Sequence, residues 1–258
     1  MSARLEIFDD ADRLGEAVAV EIATKLETAS GRLVLGCPAG RTPATAYEAF
    51  SRLIERRQLD LSKTHLVLMD EYVEPNGAAW RLCSQDAHYS CRRFAERHIR
   101  QAFNSGLAPE RRIPASQVYV PDPDDPAAYE KRIERLGGVD LFLLASGTSD
   151  GHVAFNPPGT ALSQRTHITA LAATTRRDNM ASFPAFRNFE ETPSHGIGVG
   201  PGTIAQWSRA AILILIGEQK RAAFRRIVDA NRYDPTWPAT VVHACANAAI
   251  YADRAAAR

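Results

Sequence analysis

The stretch that decides the fold is Asp140-Leu-Phe-Leu-Leu-Ala-Ser-Gly-Thr-Ser-Asp-Gly-His-Val-Ala-Phe-Asn-Pro-Pro158. Its apolar run is too short for a helix of ordinary length and long enough for a buried strand. It stops abruptly in small residues, a carboxylate and an imidazole, so a central strand delivers Asp150 and His152 to a loop. Such a pair can act as an acid and base, with the carboxylate orienting the ring and raising its basicity. A glycine-rich turn with incidental polar residues is the alternative reading of the segment taken alone.

Working outward, the chain has 258 residues, 45% hydrophobic and 24% charged, enough to bury one sizeable core without staples. The net charge of +1 and the lack of a Lys/Arg run interleaved with aromatics argue against a nucleic-acid partner. The start, Met-Ser-Ala-Arg-Leu-Glu-Ile-Phe, lacks the layout of a signal peptide, and no apolar stretch approaches the roughly 20 residues a membrane span requires. These features read as a soluble, cytoplasmic protein. Cys37, Cys83, Cys91 and Cys245 match no paired metal-ligand spacing and are too sparse for a disulfide framework, so they read as structural thiols. Cys37 stands out because it closes a strand before a glycine-containing loop.

Apolar runs alternate with helical patterns along the chain, the signature of an α/β fold with a mostly parallel sheet covered by helices on both faces. The expected strands are 32–37, 64–70, 118–121, 140–146, 195–199, 210–217 and 248–252, and the expected helices 11–28, 43–57, 87–103, 126–136 and 218–230. Thr42 reads as an N-cap with Pro43 at the first helical position. The whole chain reads as a single domain, and the weakly periodic segment at about 176–194 is a candidate lid.

Open α/β sheets bind ligands outside the carboxyl ends of their strands. Four strand ends here carry chemistry: Pro38 to Pro43, Met69 to Tyr72, Ser146 to His152, and Gly217 to Lys220. Gly40, Arg41 and Thr42 at a helix start offer backbone N–H groups and a positive dipole end to an anion, and Lys220 adds a point charge. Each feature taken singly is more often structural. Asp70 and Glu71 point to opposite sides by strand alternation, one toward the crevice and one toward a helix, although simple capping by both is the competing reading.

In this order the residues resemble the glucosamine-6-phosphate deaminase (isomerase) and 6-phosphogluconolactonase superfamily, from Leu33 to about Asp253. Met69-Asp-Glu-Tyr-Val73 and Asp150-Gly-His-Val-Ala-Phe-Asn156 look like the deaminase branch. Thr175-Arg176, Gly198-Val-Gly-Pro-Gly-Thr203 and Gly217-Glu-Gln-Lys220 are further matches. The resemblance implies a Rossmann-like α/β sheet, a phosphorylated sugar as substrate and aldose/ketose proton transfer with possible amine release. Asp70 would be the base at C1 and C2, His152 the ring-opening residue and Asp150 its carboxylate partner. Gly40, Arg41, Thr42, Arg176 and Lys220 would bind phosphate. It implies no metal and no redox cofactor, leaves room for a homo-oligomer, and gives no reason for nicotinamide binding, because the dinucleotide glycine pattern is absent.

Three positions depart from the family pattern. Pro157 stands where the deaminases place Glu, so the imidazole keeps one carboxylate partner within the motif. Arg41 stands where the phosphate loop usually has Gly, and Thr148 where both branches commonly have Gly. They leave two other readings open: hydrolysis of a sugar-phosphate lactone by water that His152 activates, and a sugar-phosphate-binding module without catalysis. His65, His88, His98, His167 and His243, with Trp80, Trp207 and Trp237, read as structural.

Overall fold

The computed structural model describes residues 3–29 and 31–258. Seven parallel strands form the main sheet: β1 (Arg4–Phe8), β2 (Arg32–Cys37), β3 (Lys63–Leu68), β6 (Val118–Tyr119), β7 (Leu141–Ala145), β10 (Ala211–Leu215) and β11 (Ala248–Asp253). Their order is β1-β11-β10-β7-β2-β3-β6.

Alternation along continuous apolar runs explains the two-sided covering. Leu33, Leu35, Leu66, Leu68, Leu141, Leu143, Ile212 and Ile214 face one layer. There they meet Leu14, Val18 and Ile22 of the helix Ala11–Thr28 and Phe50 and Ile54 of the helix Ala44–Arg57. The intervening Val34, Val67, Phe142, Leu144, Leu213 and Leu215 face the other layer. Their partners are Ile133 of Pro126–Arg135, Ile204 of Pro201–Trp207 and Ile227 of Arg221–Asp229. No helix among the described residues is long and apolar enough to cross a membrane.

A second, antiparallel sheet, absent from the sequence reading, stands beside the first. It is ordered β5 (Ala79–Leu82), β4 (Asp70–Asn76), β9 (His195–Gly198) and β8 (His167–Ala170). The segment 195–199, expected in the parallel sheet, therefore belongs here: β9 pairs antiparallel with β4 and β8 on its two sides. Residues 64–70 divide as well, because the chain leaves the main sheet at Leu68 and Asp70 begins β4.

Other boundaries also moved. The helix after the phosphate-loop candidate begins at Ala44, and Pro43 precedes it without a side-chain cap from Thr42. The expected helix 87–103 runs over 91–104 and contains a π-helical turn at Ala95–Arg100. Residues 218–220 form a 3-10 turn before the helix Arg221–Asp229. Beyond the sequence-derived elements lie β1 and the helices Ala173–Ser182 and Pro201–Trp207.

The strand order reverses between β2 and β7: β2 runs on to β3 on one side, while the neighbours of β7 beyond β2 lie on the other. These two strands share a short register, Leu35 with Leu141 and Gly36 with Phe142, whereas β2 and β3 pair along their whole length. Past Phe142 they separate, which opens a crevice at their carboxyl ends.

Candidate active site

The crevice is a cavity of about 160 Å³. Pro38 to Thr42 after β2, Met69 and Asp70 after β3, Ser146 to Thr148 and His152 after β7, and Lys220 after β10 all line it. Gly40, Arg41, Thr42, Asp70, His152 and Lys220 are thus brought together, with Asp150 directly behind His152.

The His152 ring is held by its own loop. Asp150 Oδ1 lies 2.7 Å from His152 Nδ1 and also accepts the His152 backbone N–H. The other carboxylate oxygen accepts from Thr174 Oγ1 at 2.6 Å and Thr175 Oγ1 at 2.8 Å. Burial disfavours charge on Asp150, but the imidazole and the two hydroxyls outweigh it and hold the carboxyl well below the usual carboxylate range. An ionised Asp150 can only accept, so Nδ1 carries the proton and Nε2 is left as the ring nitrogen for chemistry in the cleft. Gly147 makes the pair possible, since a Cβ there would lie 2.2 Å from His152 Nδ1 and 2.6 Å from Asp150 Oδ1.

Beyond His152 the loop doubles back through Ala154 (φ 48°) and Phe155 (φ 60°), two side-chain-bearing residues in the left-handed region. Asn156 holds this turn: its buried Nδ2 donates to Val153 O, Ala154 O and Val199 O. The loop lies against β9, where a Cβ on Gly198 would sit 2.2 Å from Ala154 O. Pro157 is outside the cleft lining, and its carbonyl accepts from Thr160.

Alternation along β4 separates the two acidic residues. Asp70 lines the cleft, where burial pushes its carboxyl up to about 7. The Cys91 thiol, 3.3 Å from Oδ1, and the charge of His152 oppose that rise, while Glu71 adds to it. Glu71, fully buried, faces the other way and caps the 91–104 helix. Its carboxylate accepts from Cys91 N, Arg92 N and Ser90 Oγ, all within 2.9 Å, and pairs with the Arg92 guanidinium.

Lys220 is 6% exposed, and its ammonium donates to Ser146 O and to Thr148 Oγ1 at 2.8 Å. Burial pulls it down to about 8, and Arg41 acts in the same direction, whereas Asp178 and Asp150 resist. Thr148, one of the departures, is thus a ligand of the lysine.

Arg176 does not join this group. Its guanidinium donates to Thr192 Oγ1, Phe189 O and Thr192 O and lies 3.9 Å over the Phe189 ring. The phase of the helix Ala173–Ser182 is the reason: Thr175, Asp178, Asn179 and Ser182 share the face toward Asp150 and the cleft, and Arg176 falls about a quarter-turn away. Asp178 and Asn179, absent from the sequence-derived site, line the cleft. Asp178 also accepts from Ser149 Oγ at 2.8 Å.

Outside the cleft lining, His167 Nδ1 meets Arg165 O, and the His98 ring packs on Phe94. His243 Nε2 meets Ile227 O, and His65 Nδ1 meets the Tyr119 hydroxyl.

A buried carboxylate, a carboxylate-oriented imidazole and a buried ammonium thus stand around one crevice at a strand-order reversal. The sequence profile described as glucosamine-6-phosphate isomerases/6-phosphogluconolactonase matches residues 9–251. The chain belongs to this family. Among its relatives, the glucosamine-6-phosphate deaminase of Mycolicibacterium smegmatis is 33% identical over 255 residues, covering 98% of this chain and 90% of the relative. The glucosamine-6-phosphate deaminase of Exiguobacterium sp. is 35% identical over 236 residues, 90% of this chain and 83% of the relative. A solved monomeric glucosamine-6-phosphate deaminase superposes with a TM-score of 0.82 at 25% identity, covering 98% of both chains. The 6-phosphogluconolactonase of Leishmania guyanensis shares the fold, with a TM-score of 0.69 at 18% identity over 99% of this chain and 98% of that one. The protein is accordingly an enzyme of the glucosamine-6-phosphate isomerase/6-phosphogluconolactonase family.

Proposed function

We propose that this enzyme acts on an amino-sugar phosphate by aldose/ketose proton transfer with release of ammonia, with glucosamine 6-phosphate as the substrate. The observation that carries this reading is the division of labour in the crevice. Asp70, a carboxylate whose burial makes it a competent base near neutral pH, shares a small cavity with the outward-facing side of a carboxylate-oriented imidazole. Lys220 and the Gly40–Thr42 turn lie in the same cavity as an anion cradle.

In this scheme His152 Nε2 takes the proton of the C1 hydroxyl and returns one to the ring oxygen, which opens the hemiacetal. Asp70 removes the proton on C2 and delivers it to C1, while the C1 oxygen gains a proton and the C2 amino group gives one up, so the 2-amino aldose becomes a C2 ketimine. Water hydrolyses the ketimine to fructose 6-phosphate and ammonia. Lys220 and the backbone of Gly40, Arg41 and Thr42 hold the phosphate, and the Arg41 side chain reaches it from the cleft rim. Arg176 stiffens the 176–194 segment, and that segment serves as a lid over the cleft through Asn179, Ser182 and Phe183. With Pro157 in place of the family Glu, Asp150 is the carboxylate that orients the imidazole.

Purified enzyme incubated with glucosamine 6-phosphate should form fructose 6-phosphate and ammonia in equal amounts, and Asp70→Asn and His152→Ala should lose that activity. No product at high enzyme concentration would sink the deaminase reading. The lactonase reading draws on the same His152–Asp150 pair without its second carboxylate; loss of 6-phosphogluconolactone no faster than its spontaneous hydrolysis removes it.

A further inference from the structure

We infer that Cys91 is a positioning residue for the base: its thiol aims the Asp70 carboxylate into the cleft and sets the pH at which that carboxylate takes up a proton. The inference rests on the proposed role of Asp70 as base.

The geometry comes from one helix end serving two neighbouring carboxylates. Cys91 opens the 91–104 helix, and its backbone N–H is fixed on Glu71 Oε1 at 2.9 Å, while its Sγ reaches Asp70 Oδ1 at 3.3 Å. Ser90 and Arg92 hold the same Glu71 from either side. The thiol therefore stands on a buried, immobile support rather than on a flexible loop. It is 5% exposed and forms part of the cleft wall.

Among the described residues, Cys91 provides the hydrogen bond to the Asp70 side chain. With Oδ1 anchored, rotation of the carboxylate is restricted and Oδ2 is left for substrate. A thiol is a weak donor, so it orients the carboxylate while draining less basicity than a hydroxyl or amide would. Burial, followed by the charges of Asp70 and Glu71, pushes the Cys91 thiol well above its usual range, so it stays protonated and remains a donor through neutral pH. The other charged and titratable groups around Asp70 are Glu71 beside it, buried Tyr72 and Tyr129, and His152, Lys220, Arg41 and Asp178 in the cleft. Substitution of Cys91 leaves all of these in place.

The test compares Cys91→Ala and Cys91→Ser with the unmodified enzyme by two measurements, after thermal melts confirm folding. One is the pH dependence of kcat/KM for glucosamine 6-phosphate. The other is direct titration of the Asp70 carboxyl by carbon NMR of aspartate-labelled protein, with the resonance assigned by its loss in Asp70→Asn. Removing the donor should move both the acidic limb and the titration upward by about 0.5–1 pH unit, with kcat reduced and KM little changed. Serine, a stronger donor, should move both back down to the original values or below them. An Asp70 titration unmoved in Cys91→Ala, or identical in the Ala and Ser variants, overturns the inference. Because the titration needs no turnover, an enzyme inactive on glucosamine 6-phosphate whose Asp70 still shifts would refute the reaction and keep the role of Cys91.

Discussion

Gly147→Ala adds a single methyl group and removes no functional atom, yet it should disable the imidazole. The new Cβ would stand 2.2 Å from His152 Nδ1, 2.6 Å from Asp150 Oδ1 and 2.6 Å from His152 Cε1. Carbon meets such atoms at about 3.5 Å or more, so the ring or the carboxylate must withdraw by roughly 1 Å. The Nδ1 to Oδ1 bond, 2.7 Å long, cannot survive that displacement. The Asp150 carboxylate is tied by Thr174 and Thr175, and the turn is closed by Gly147 N to His152 O at 2.7 Å, so the ring is the part that moves. Overpacking of this kind costs about 1–3 kcal/mol of stability. Loss of an oriented acid/base group costs about 10²–10⁴ in kcat. The proposed phosphate cradle of Gly40 to Thr42 and Lys220 keeps all its functional atoms, so KM should stay within a few-fold. Initial rates on glucosamine 6-phosphate across substrate concentration, with a thermal melt on the same preparation, read both effects. A variant with normal kcat and a normal melt would refute the argument that Gly147 is required by the His152–Asp150 pair.

Asp70→Asn should be inactive and yet more stable. A carboxyl raised from 3.8 to about 7 by folding binds its proton more tightly in the folded than in the unfolded chain. Stability is therefore full below pH 4 and declines as pH rises toward 7, by at most about 4 kcal/mol, and an amide escapes that penalty; equal denaturation midpoints at pH 8 would count against the burial argument. Activity of the unmodified enzyme should rise with pH through about 7 as Asp70 ionises, and KM should climb above about 8 as Lys220 loses its charge; a flat profile from pH 6 to 9 would contradict both. Lys220→Met should raise KM at least 10-fold, about 1.4 kcal/mol, whereas Arg176→Met should leave KM alone and lower the melting temperature. The reverse outcome would return Arg176 to the phosphate site. Glu71→Gln should destabilise by about 3 kcal/mol, because the amide offers one acceptor oxygen to a site with four close donors and leaves Arg92 unpaired; an unchanged melt would show the cap to be dispensable.

The inner strands of the main sheet were legible in sequence because they are buried on both faces and read as continuous apolar runs between turn residues, whereas the mostly exposed edge strand β1 was not. Nor was the second sheet. His195-Gly-Ile-Gly and His167-Ile-Thr-Ala are four-residue segments with little hydrophobic pattern, and their pairing is set by the sheet edge that β4 presents. Strand alternation did foresee that Asp70 and Glu71 part company. The position of Arg176 away from the cleft lining was not legible because a motif match carries no helical phase, whereas counting from Thr175 in steps of three and four reaches Asp178, Asn179 and Ser182. Cys91 had no signal at all: a lone cysteine in an amphipathic helix looks like core, and its contact with Asp70 arises only from the packing of that helix end against β4.

The short register between β2 and β7 gives the molecule a seam. The sheet is a book of two leaves, bound along Leu35, Gly36, Leu141 and Phe142, and the crevice is the gap where the pages part. The Gly40–Thr42 turn belongs to one leaf, while Ser146, Thr148 and Lys220 belong to the other. On the proposed reading, a sugar phosphate held by both sides would be a clasp across the opening, and its binding and the cohesion of the sheet would be one event. Saturating ligand at 100 times its Kd adds about 2.7 kcal/mol to the folded state, and amide exchange should slow first along this seam.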